Sequence, residues 1–330
     1  MSIQTQRLVF TRQQQVTCET FTPASPGSGE VLVRSICSLM STGTENIVYN
    51  RLFDPGTHWD KWVKYPFYPG YLTVGDVIEL GADVKGIGLG DRVALRAAHA
   101  SHHVRSAAKC YPVPRDLDPA KAAWFGLAKI AFVGARAAGY TLGEGVLVIG
   151  AGPIGQMSVR WANAAGCRHI VCADPVEERL TLACRGGATA TIARPLADEV
   201  ETLKAAMGGA LPSIVIDTTG HAQVFTTALT MVRDRGRVVV LGDTGSPASQ
   251  HLTPDVITRG LTVVGAHDGH VDDTWNDATI YPLFFELVGS GRFDLDGLNT
   301  HTFAPHDCQK AYAMVNERRG ETMGVVFGWS

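Results

Sequence analysis

The chain has 330 residues, of which 45% are hydrophobic and 18% charged, and this balance excludes a disordered polypeptide. The length exceeds the size at which one hydrophobic core usually stops growing, so we expect two domains. A formal net charge of −3 gives no reason to expect nucleic acid or an anionic membrane as a partner.

The first part of the chain has the pattern of a small, mostly β domain. Strands are predicted at 31–36 (VLVRSI), 74–80 (VGDVIEL) and 91–97 (DRVALRA), where β-branched residues lie between turns rich in Gly, Pro and Asp. Residues 118–139 differ, because an Asp-Pro start, Ala-rich spacing and a terminal Gly predict one or two helices.

The middle of the chain alternates apolar strands with helical stretches. The predicted strands are 146–150, 169–174, 213–220, 237–242 and 261–266. Their nearly continuous apolar runs are typical of parallel strands that are covered on both faces, so we expect a doubly wound parallel sheet. After residue 266 the sequence predicts polar loops, one long helix in CQKAYAMVNERRG and a short strand in MGVVFGW.

The strongest chemical signal is a glycine motif. Gly150, Gly152 and Gly155 form G-x-G-x-x-G directly after a strand and at the start of a helix. Gly150 permits the tight turn, Gly152 lets a pyrophosphate approach the backbone, and Gly155 lets helix and strand pack closely. Pro153 and Ile154 lie in the same turn, where free N–H groups of the helix can bind phosphate, so the motif predicts a dinucleotide site.

A carboxylate completes this prediction. Asp174 ends the strand HIVCAD about 20 residues further on, where it can accept hydrogen bonds from the adenosine ribose. Because an acid repels a 2′-phosphate, we expect NAD rather than NADP. Arg179 either binds the same ribose or is a solvated helix charge. The ends of later strands add Thr218, Leu241 and Gly242 to the predicted cofactor-binding set.

With these residues in place, the chain resembles the medium-chain dehydrogenase/reductase family over essentially its whole length. The β-rich start, the turn GADVKGIGLGDRV, the helix into VLVIGAGPIG and the tail THTFAPHDCQKAYAMV match that family's layout. The resemblance implies an α/β protein with a GroES-like catalytic domain at 1–126, completed by 265–330, and a Rossmann NAD-binding domain at 127–264. It also implies a cleft for nicotinamide and substrate, and a homodimer or homotetramer built through the Rossmann sheet.

The resemblance also locates the positions at which zinc members of the family carry ligands. These positions are Ser41, residues 70–72 (Gly-Tyr-Leu) and residues 125–127 (Phe-Gly-Leu), and none provides the sulfur, imidazole or carboxylate donor that Zn²⁺ needs. The four-cysteine structural zinc lobe is absent too, so we expect no metal. The segment S-T-G-T-E, followed by Y-P-F-Y-P-G-Y, is most similar to the zinc-less branch that contains bacteriochlorophyllide dehydrogenase.

Without zinc, a side chain must handle the proton of the substrate hydroxyl. Thr44 matches the family's relay Thr or Ser, although it could instead cap a local turn. Glu45 matches an acid that orients a ligand His; it either hydrogen-bonds Tyr71 or faces the cleft as a base, and a structural role is favoured. Tyr71 either hydrogen-bonds a substrate carbonyl or fills the vacated space.

Several further residues are candidates for substrate contact. The predicted set is Ser41, His58, Trp59, Lys129 and His267. Lys129 either donates to a carbonyl or is a solvated helix charge. The aromatic-rich loop from Tyr49 to Tyr71 is interpreted as a substrate lid that is partly core. In contrast, His99, His102 and His103 are interpreted as surface or structural histidines.

The cysteines and the N-terminal sequence indicate a cytoplasmic protein. The seven cysteines form no C-x-x-C pair, which is typical of free thiols in a reducing compartment. The start MSIQTQRLVF lacks the pattern of a secretion signal, and no run of about 18 apolar residues occurs.

Three functions are compatible with these features. The leading hypothesis is a zinc-independent, NAD(H)-dependent oxidoreductase that interconverts a ketone and a secondary alcohol, such as a sugar, cyclitol or bulky ring alcohol. The second is a C=C reductase of the enoyl or quinone type, against which Asp174 argues because those branches usually prefer NADPH. The third is a cofactor-binding protein without turnover.

Overall fold

The secondary structure was determined from a computed structural model that describes residues 5–329. In chain order the strands are β1 (Thr5–Arg12), β2 (Gln15–Phe21), β3 (Glu30–Met40), β4 (Thr73–Leu80), β5 (Arg92–Leu95), β6 (His102–Ser106), β7 (Cys110–Pro112), β8 (Gly145–Ile149), β9 (His169–Ala173), β10 (Ala190–Ile192), β11 (Ile214–Asp217), β12 (Arg237–Val240), β13 (Thr262–Gly265), β14 (Asn299–Phe303) and β15 (Gly324–Gly328). The α-helices are α1 (Thr42–Asn50), α2 (His58–Trp62), α3 (Pro119–Ala122), α4 (Phe125–Ala138), α5 (Pro153–Ala164), α6 (Glu177–Arg185), α7 (Val200–Ala206), α8 (Ala222–Thr230), α9 (Asp255–Thr258), α10 (Asp277–Gly289) and α11 (Cys308–Glu317).

The chain divides into two units, and both of its ends contribute to the first. That unit contains the chain up to Gly126, Asp277–Gly289 and the segment from Leu295 onward. Its sheets are the antiparallel pair β1-β2 and a larger sheet in the order β14-β15-β3-β4-β5-β7, with β6 also paired to β3. Because β15 runs antiparallel to β3, the end of the chain lies beside an early strand.

The second unit contains Leu127–Asn276 and Ser290–Asp294, and it is built on a parallel sheet in the order β10-β9-β8-β11-β12-β13. Alternate side chains of β8 pack in two cores: Val146 and Val148 in one, Leu147 and Ile149 in the other. Covering on both faces explains why the strand sequence is continuously apolar. Counted from β8, the strand order is 3-2-1-4-5-6, which confirms the predicted Rossmann sheet.

The segment after residue 266 differs from the prediction of polar loops followed by one long helix. Helix α10 occupies residues 277–289 although Pro282 lies inside it, a position that normally disfavours a helix. Burial of the apolar face stabilises the helix despite this proline, because Ile280, Tyr281 and Phe284 are each 0% exposed. Residues 265–276, which the resemblance assigned to the catalytic domain, group with the second unit, where Trp275 packs on Phe132 with ring centroids 5.0 Å apart.

The short strands β1, β2, β6, β7, β10 and β14 were not predicted either. β7 and β10 have only three residues each, and the others carry several polar residues, so their sequences give a weak strand signal. Within residues 5–329, no helix has the length and apolar character needed to cross a membrane.

Candidate active site

Three hydroxyl side chains of the first unit lie together. The phenol of Tyr71, which precedes β4, donates a hydrogen bond to Ser41 Oγ at 2.6 Å. Thr44, in the first turn of α1, hydrogen-bonds the same phenol. Ser41 is buried, whereas Thr44 and Tyr71 are partly buried. We call Ser41, Thr44 and Tyr71 the hydroxyl set.

Burial raises the pKa of Tyr71 above its ordinary value, because a phenolate is poorly solvated there. The guanidinium of Arg96 lies 4.9 Å from the centre of the phenol ring and opposes this rise, as do the hydrogen bonds with Ser41 and Thr44. The nearby carboxylate of Glu45 adds to the rise. The phenol is therefore protonated at neutral pH and able to donate a hydrogen bond.

The carboxylate of Glu45 lies behind the hydroxyl set and is 2% exposed. Its Oε1 accepts a hydrogen bond from the backbone N–H of Ser41 at 2.8 Å. Its Oε2 accepts one from the Tyr312 hydroxyl and lies 3.1 Å from His99 Nε2. These groups, instead of Tyr71, engage the carboxylate. The predictions that Glu45 bonds Tyr71 or serves as an exposed base are therefore corrected: it anchors the start of α1.

The two other predicted substrate residues of the first unit lie in contrasting surroundings. Trp59 is 4% exposed and packs in the core with Phe10 and Tyr49. The prediction that Trp59 contacts substrate is therefore corrected: burial among apolar side chains stabilises the indole in the core. His58 is exposed at the first residue of α2.

In the second unit, Lys129 is 6% exposed and its Nζ lies 3.1 Å from Asp268 Oδ1. The alternative of a solvated helix charge is therefore wrong, since the ammonium is buried and paired. His267 is exposed, and its Nδ1 accepts a hydrogen bond from the backbone N–H of Gly269 at 3.1 Å.

The glycine motif of the second unit separates into two kinds of position. A Cβ on Gly155 would lie 1.8 Å from the Gly150 carbonyl oxygen, and one on Gly150 would lie 2.7 Å from Thr218 Oγ1. The protein's own packing therefore requires both glycines. A Cβ on Gly152 would meet no atom within 4 Å, so space is open beside the start of α5. An open approach to the backbone at this glycine fits the pyrophosphate of a dinucleotide.

The carboxylate of Asp174 is held in place by the backbone. Its Oδ2 accepts from the N–H of Ala151 at 2.7 Å, and its Oδ1 accepts from the N–H of Val176 at 2.9 Å. Arg179 Nη1 lies 3.9 Å from Oδ2, and the Arg179 side chain is 15% exposed. Arg179 is therefore not a solvated helix charge; it lies against the predicted ribose-binding acid.

The remaining predicted cofactor residues shape the ends of β8, β11 and β12. Thr218 Oγ1 donates to the carbonyl oxygens of Ile149 and Gly150 at 2.9 and 3.1 Å. The Leu241 side chain is 6% exposed and packs in the core, so the prediction that this residue binds cofactor falls on its backbone at the end of β12. Gly242 packs so closely that a Cβ would lie 2.3 Å from the backbone nitrogen of Gly220.

The donors at the hydroxyl set do not fit a zinc ion. Ser41 and Tyr71 offer hydroxyls, whereas Zn²⁺ in proteins is held by thiolate, imidazole and carboxylate. In the part of the chain that the structure describes, no three His, Cys, Asp or Glu side chains form a group that could hold a metal ion.

Sequence reasoning missed two groups that complete the surroundings of Glu45. Tyr312 is separated from Glu45 by 267 residues, and His99 by 54. Their sequence context carried no signal for this role, because Tyr312 occupies an ordinary apolar position of α11 and His99 lies in a histidine-rich segment.

Two family models match the chain. The model of the alcohol dehydrogenase GroES-like domain matches residues 27–150, which confirms the predicted GroES-like domain. The model described as zinc-binding dehydrogenase matches residues 153–280. The description names zinc, but the hydroxyl set offers none of the thiolate, imidazole or carboxylate ligands that hold zinc in proteins.

The chain is also similar to known dehydrogenases over nearly its full length. L-threonine 3-dehydrogenase of Bacillus velezensis is 28% identical over 340 residues, which cover 92% of each chain. A zinc-binding dehydrogenase from Sinorhizobium meliloti 1021, solved with NADP, superposes with a TM-score of 0.84 at 19% identity, covering 98% of this chain and 99% of that one. An alcohol dehydrogenase from Escherichia coli CFT073, solved with NADH, gives 0.81 at 20% identity, with the same coverage.

The two kinds of glycine predict different defects for the same substitution. Gly152→Ala adds a methyl group to open space, so we expect an unchanged Tm and about tenfold or greater loss of NADH affinity. Gly155→Ala forces a methyl group onto the Gly150 carbonyl, so we expect a lower Tm. Thermal unfolding measures the Tm of both variants, and fluorescence titration measures their NADH affinity. Equal NADH affinity of Gly152→Ala and the parent protein would contradict the expectation.

Proposed function

Because the chain belongs to the medium-chain dehydrogenase/reductase family and is an enzyme, we propose that it is a zinc-independent, NAD(H)-dependent oxidoreductase that interconverts a secondary alcohol and a ketone by hydride transfer. The observation that carries this proposal is the hydrogen bond between Tyr71 and Ser41, at two positions where the resemblance expects metal ligands. L-threonine 3-dehydrogenase, to which the chain is similar, acts by its name on a secondary alcohol.

The assignment to a zinc-less branch rests on the chemistry of the donors. A hydroxyl pair at 2.6 Å already satisfies part of the hydrogen-bonding capacity of Ser41 and Tyr71. Glu45, the nearest carboxylate, is engaged by the Ser41 backbone N–H and the Tyr312 hydroxyl. A cation at this place would have to break these hydrogen bonds and rely on neutral hydroxyls, which are poor zinc ligands.

We assign the proton transfer to Tyr71. A nicotinamide cofactor, when bound, supplies or accepts the hydride. In ketone reduction the Tyr71 phenol turns its O–H from Ser41 Oγ to the substrate oxygen and donates its proton there, and the hydroxyl groups of Ser41 and Thr44 then donate hydrogen bonds to the phenolate. The guanidinium of Arg96, above the ring, favours the same charge. In alcohol oxidation the phenolate takes the proton back.

The substrate class is a sugar, cyclitol or bulky ring alcohol. Part of the aromatic loop is core, but Trp62 is 51% exposed and follows His58 on α2. An exposed indole can stack on the apolar face of a sugar or ring alcohol. This exposure supports the choice of substrate.

The preference for NAD rests on Asp174. Because two backbone N–H groups fix its carboxylate, the negative charge stays where the 2′-phosphate of NADP would lie. Arg179, at 3.9 Å, reduces this repulsion and can itself contact the ribose. The ratio of NADH to NADPH affinity therefore measures the combined effect of Asp174 and Arg179 on the choice of cofactor.

Two further proposals concern the assembly and the compartment. Among residues 5–329, β13 pairs only with β12, and its Thr262 and Val263 are exposed, so a second copy can extend the sheet to give a homodimer or, by further contacts, a homotetramer. Light scattering of the purified protein tests this, and a monomer at micromolar concentration would contradict it. The seven cysteines are free thiols, which supports the cytoplasm as the compartment.

The role of Tyr71 predicts a defect and a pH dependence. Tyr71→Phe should lower kcat for ketone reduction by roughly 10² to 10⁴, the usual contribution of a positioned acid, with little change in NADH affinity. In the parent enzyme, reduction needs the protonated phenol, so kcat should stay level at neutral pH. It should fall only above about pH 10, because the pKa of Tyr71 is raised. Alcohol oxidation needs the phenolate and should become faster as the pH rises.

Steady-state rates from pH 6 to 11 with a panel of ring alcohols and their ketones measure both effects. Tyr140→Phe, which removes a buried phenol that has no hydrogen-bond partner among the described residues, is the matched control and should retain full activity. Parent-like kcat in Tyr71→Phe would overturn this assignment.

The role of Asp174 predicts a change in cofactor preference. Asp174→Asn keeps an acceptor for the Val176 N–H but removes the charge, so the NADPH:NADH affinity ratio should rise about tenfold. Glu177→Gln removes an exposed charge from the first turn of α6 and serves as the matched control. An unchanged ratio in Asp174→Asn would show that this carboxylate does not select the cofactor.

A further inference from the structure

We propose that His99 is a positioning residue that holds the hydroxyl set together, an assignment that rests on the proposed function. Its imidazole is 0% exposed and contacts both chain segments that carry the set. One contact reaches the start of α1 through Glu45, and the other supports Gly70, directly before Tyr71.

The partners of the imidazole determine which ring nitrogen carries the hydrogen. The indole N–H of Trp329 donates to Ser38 Oγ at 2.8 Å, so the Ser38 hydroxyl can donate to His99 Nδ1 at 2.7 Å. Nε2 then bears the ring hydrogen and donates to Glu45 Oε2 at 3.1 Å. In this arrangement each donor from Trp329 to Glu45 meets an acceptor, which buried polar groups require.

This chain of hydrogen bonds ends at Ser41. His99 and Tyr312 hold Glu45 Oε2, and Oε1 accepts from the backbone N–H of Ser41. The Ser41 side chain accepts from Tyr71 in turn. Because a buried carboxylate follows its donors, the position of His99 fixes the peptide from which the Ser41 hydroxyl extends.

The second contact acts through the backbone. Gly70 has a φ of +89°, and a Cβ there would lie 2.6 Å from Cδ2 of His99, so the ring lies directly against its Cα. The N–H of His99 donates to the Pro69 carbonyl oxygen at 2.8 Å. His99 therefore supports the segment that leads into Tyr71.

Two segments that lie 30 residues apart in sequence thus depend on one side chain for the contact between Ser41 and Tyr71. Removing the imidazole takes a donor from Glu45 and support from Gly70 at the same time. The contact should then loosen, and water should reach the phenol. This consequence distinguishes positioning from a merely structural role, which would change stability alone.

Three variants separate the contact of the His99 ring with Gly70 from the hydrogen bonds of its two nitrogens. His99→Phe keeps a ring against Gly70 but removes both hydrogen bonds, and His99→Gln keeps a donor for Glu45. Ser38→Ala removes only the partner of Nδ1, so it tests the chain of hydrogen bonds should His99→Phe fail to fold. His102→Phe removes another buried imidazole of the first unit, whose Nδ1 lies 3.0 Å from Ser101 Oγ, and is the matched control.

The first measurement is an ultraviolet difference titration of the Tyr71 phenol, with the Tyr71→Phe form of each variant as the blank. Besides Ser41 and Thr44, the groups that face this phenol are the Arg96 guanidinium and the Glu45 carboxylate, and both are retained in all variants. We expect the midpoint to move towards the ordinary tyrosine value, about 10, in His99→Phe and less so in Ser38→Ala and His99→Gln. In His102→Phe it should not move.

The second measurement separates kcat from binding. His99→Phe should lower kcat of ketone reduction about tenfold or more with an unchanged NADH Kd, and His99→Gln should recover part of the loss. An unmoved Tyr71 titration in folded His99→Phe and Ser38→Ala would overturn the positioning role. If instead Tyr71→Phe keeps parent activity, the proposed function fails, while the titration still tests the positioning role independently.

Discussion

The burial of one carboxylate organises the first unit. Glu45 is 2% exposed, and a charge removed from water to this extent is stable only when hydrogen-bond donors surround it. Its donors come from the start of α1, the segment after β5 and helix α11, so the fold must bring an early, a middle and a late part of the chain to one point. The pairing of β15 with β3 does this, because it lays the end of the chain along the strand that leads into α1.

The burial of Glu45 also positions the groups of the candidate active site. Once Glu45 fixes the Ser41 peptide, the hydroxyl of Ser41 can hold the Tyr71 phenol in place, as the proposed role of Tyr71 in proton transfer requires. The second unit orients its charged group in a similar way, since the backbone N–H groups of Ala151 and Val176 hold the Asp174 carboxylate. In both units, hydrogen bonds from the backbone hold a carboxylate in place.

Local sequence signals predicted the second unit well. The apolar runs of β8, β9, β11 and β12 reflect burial in the sheet, and the glycine motif reflects close contacts of the strand-to-helix turn, so both can be read from a short window of sequence. The surroundings of Glu45 could not be predicted, because its contact with Tyr312 spans 267 residues and has no local pattern. The surroundings of Lys129 and Trp59, both predicted to contact substrate, could not be predicted for the same reason: an ion pair with Asp268 and an apolar core depend on distant parts of the chain. Helix α10 was missed because burial of its apolar face overrides the local effect of Pro282.

The central claim is that hydroxyl groups, held by a buried carboxylate, do the work that zinc does in other members of the family. Elemental analysis of the protein before and after treatment with a strong chelator, combined with alcohol-dependent NAD reduction by the same samples, tests this claim most directly. The account predicts full activity in protein that contains no bound zinc, and no gain when zinc is added. Stoichiometric zinc whose removal abolishes turnover, and whose return restores it, would contradict the account.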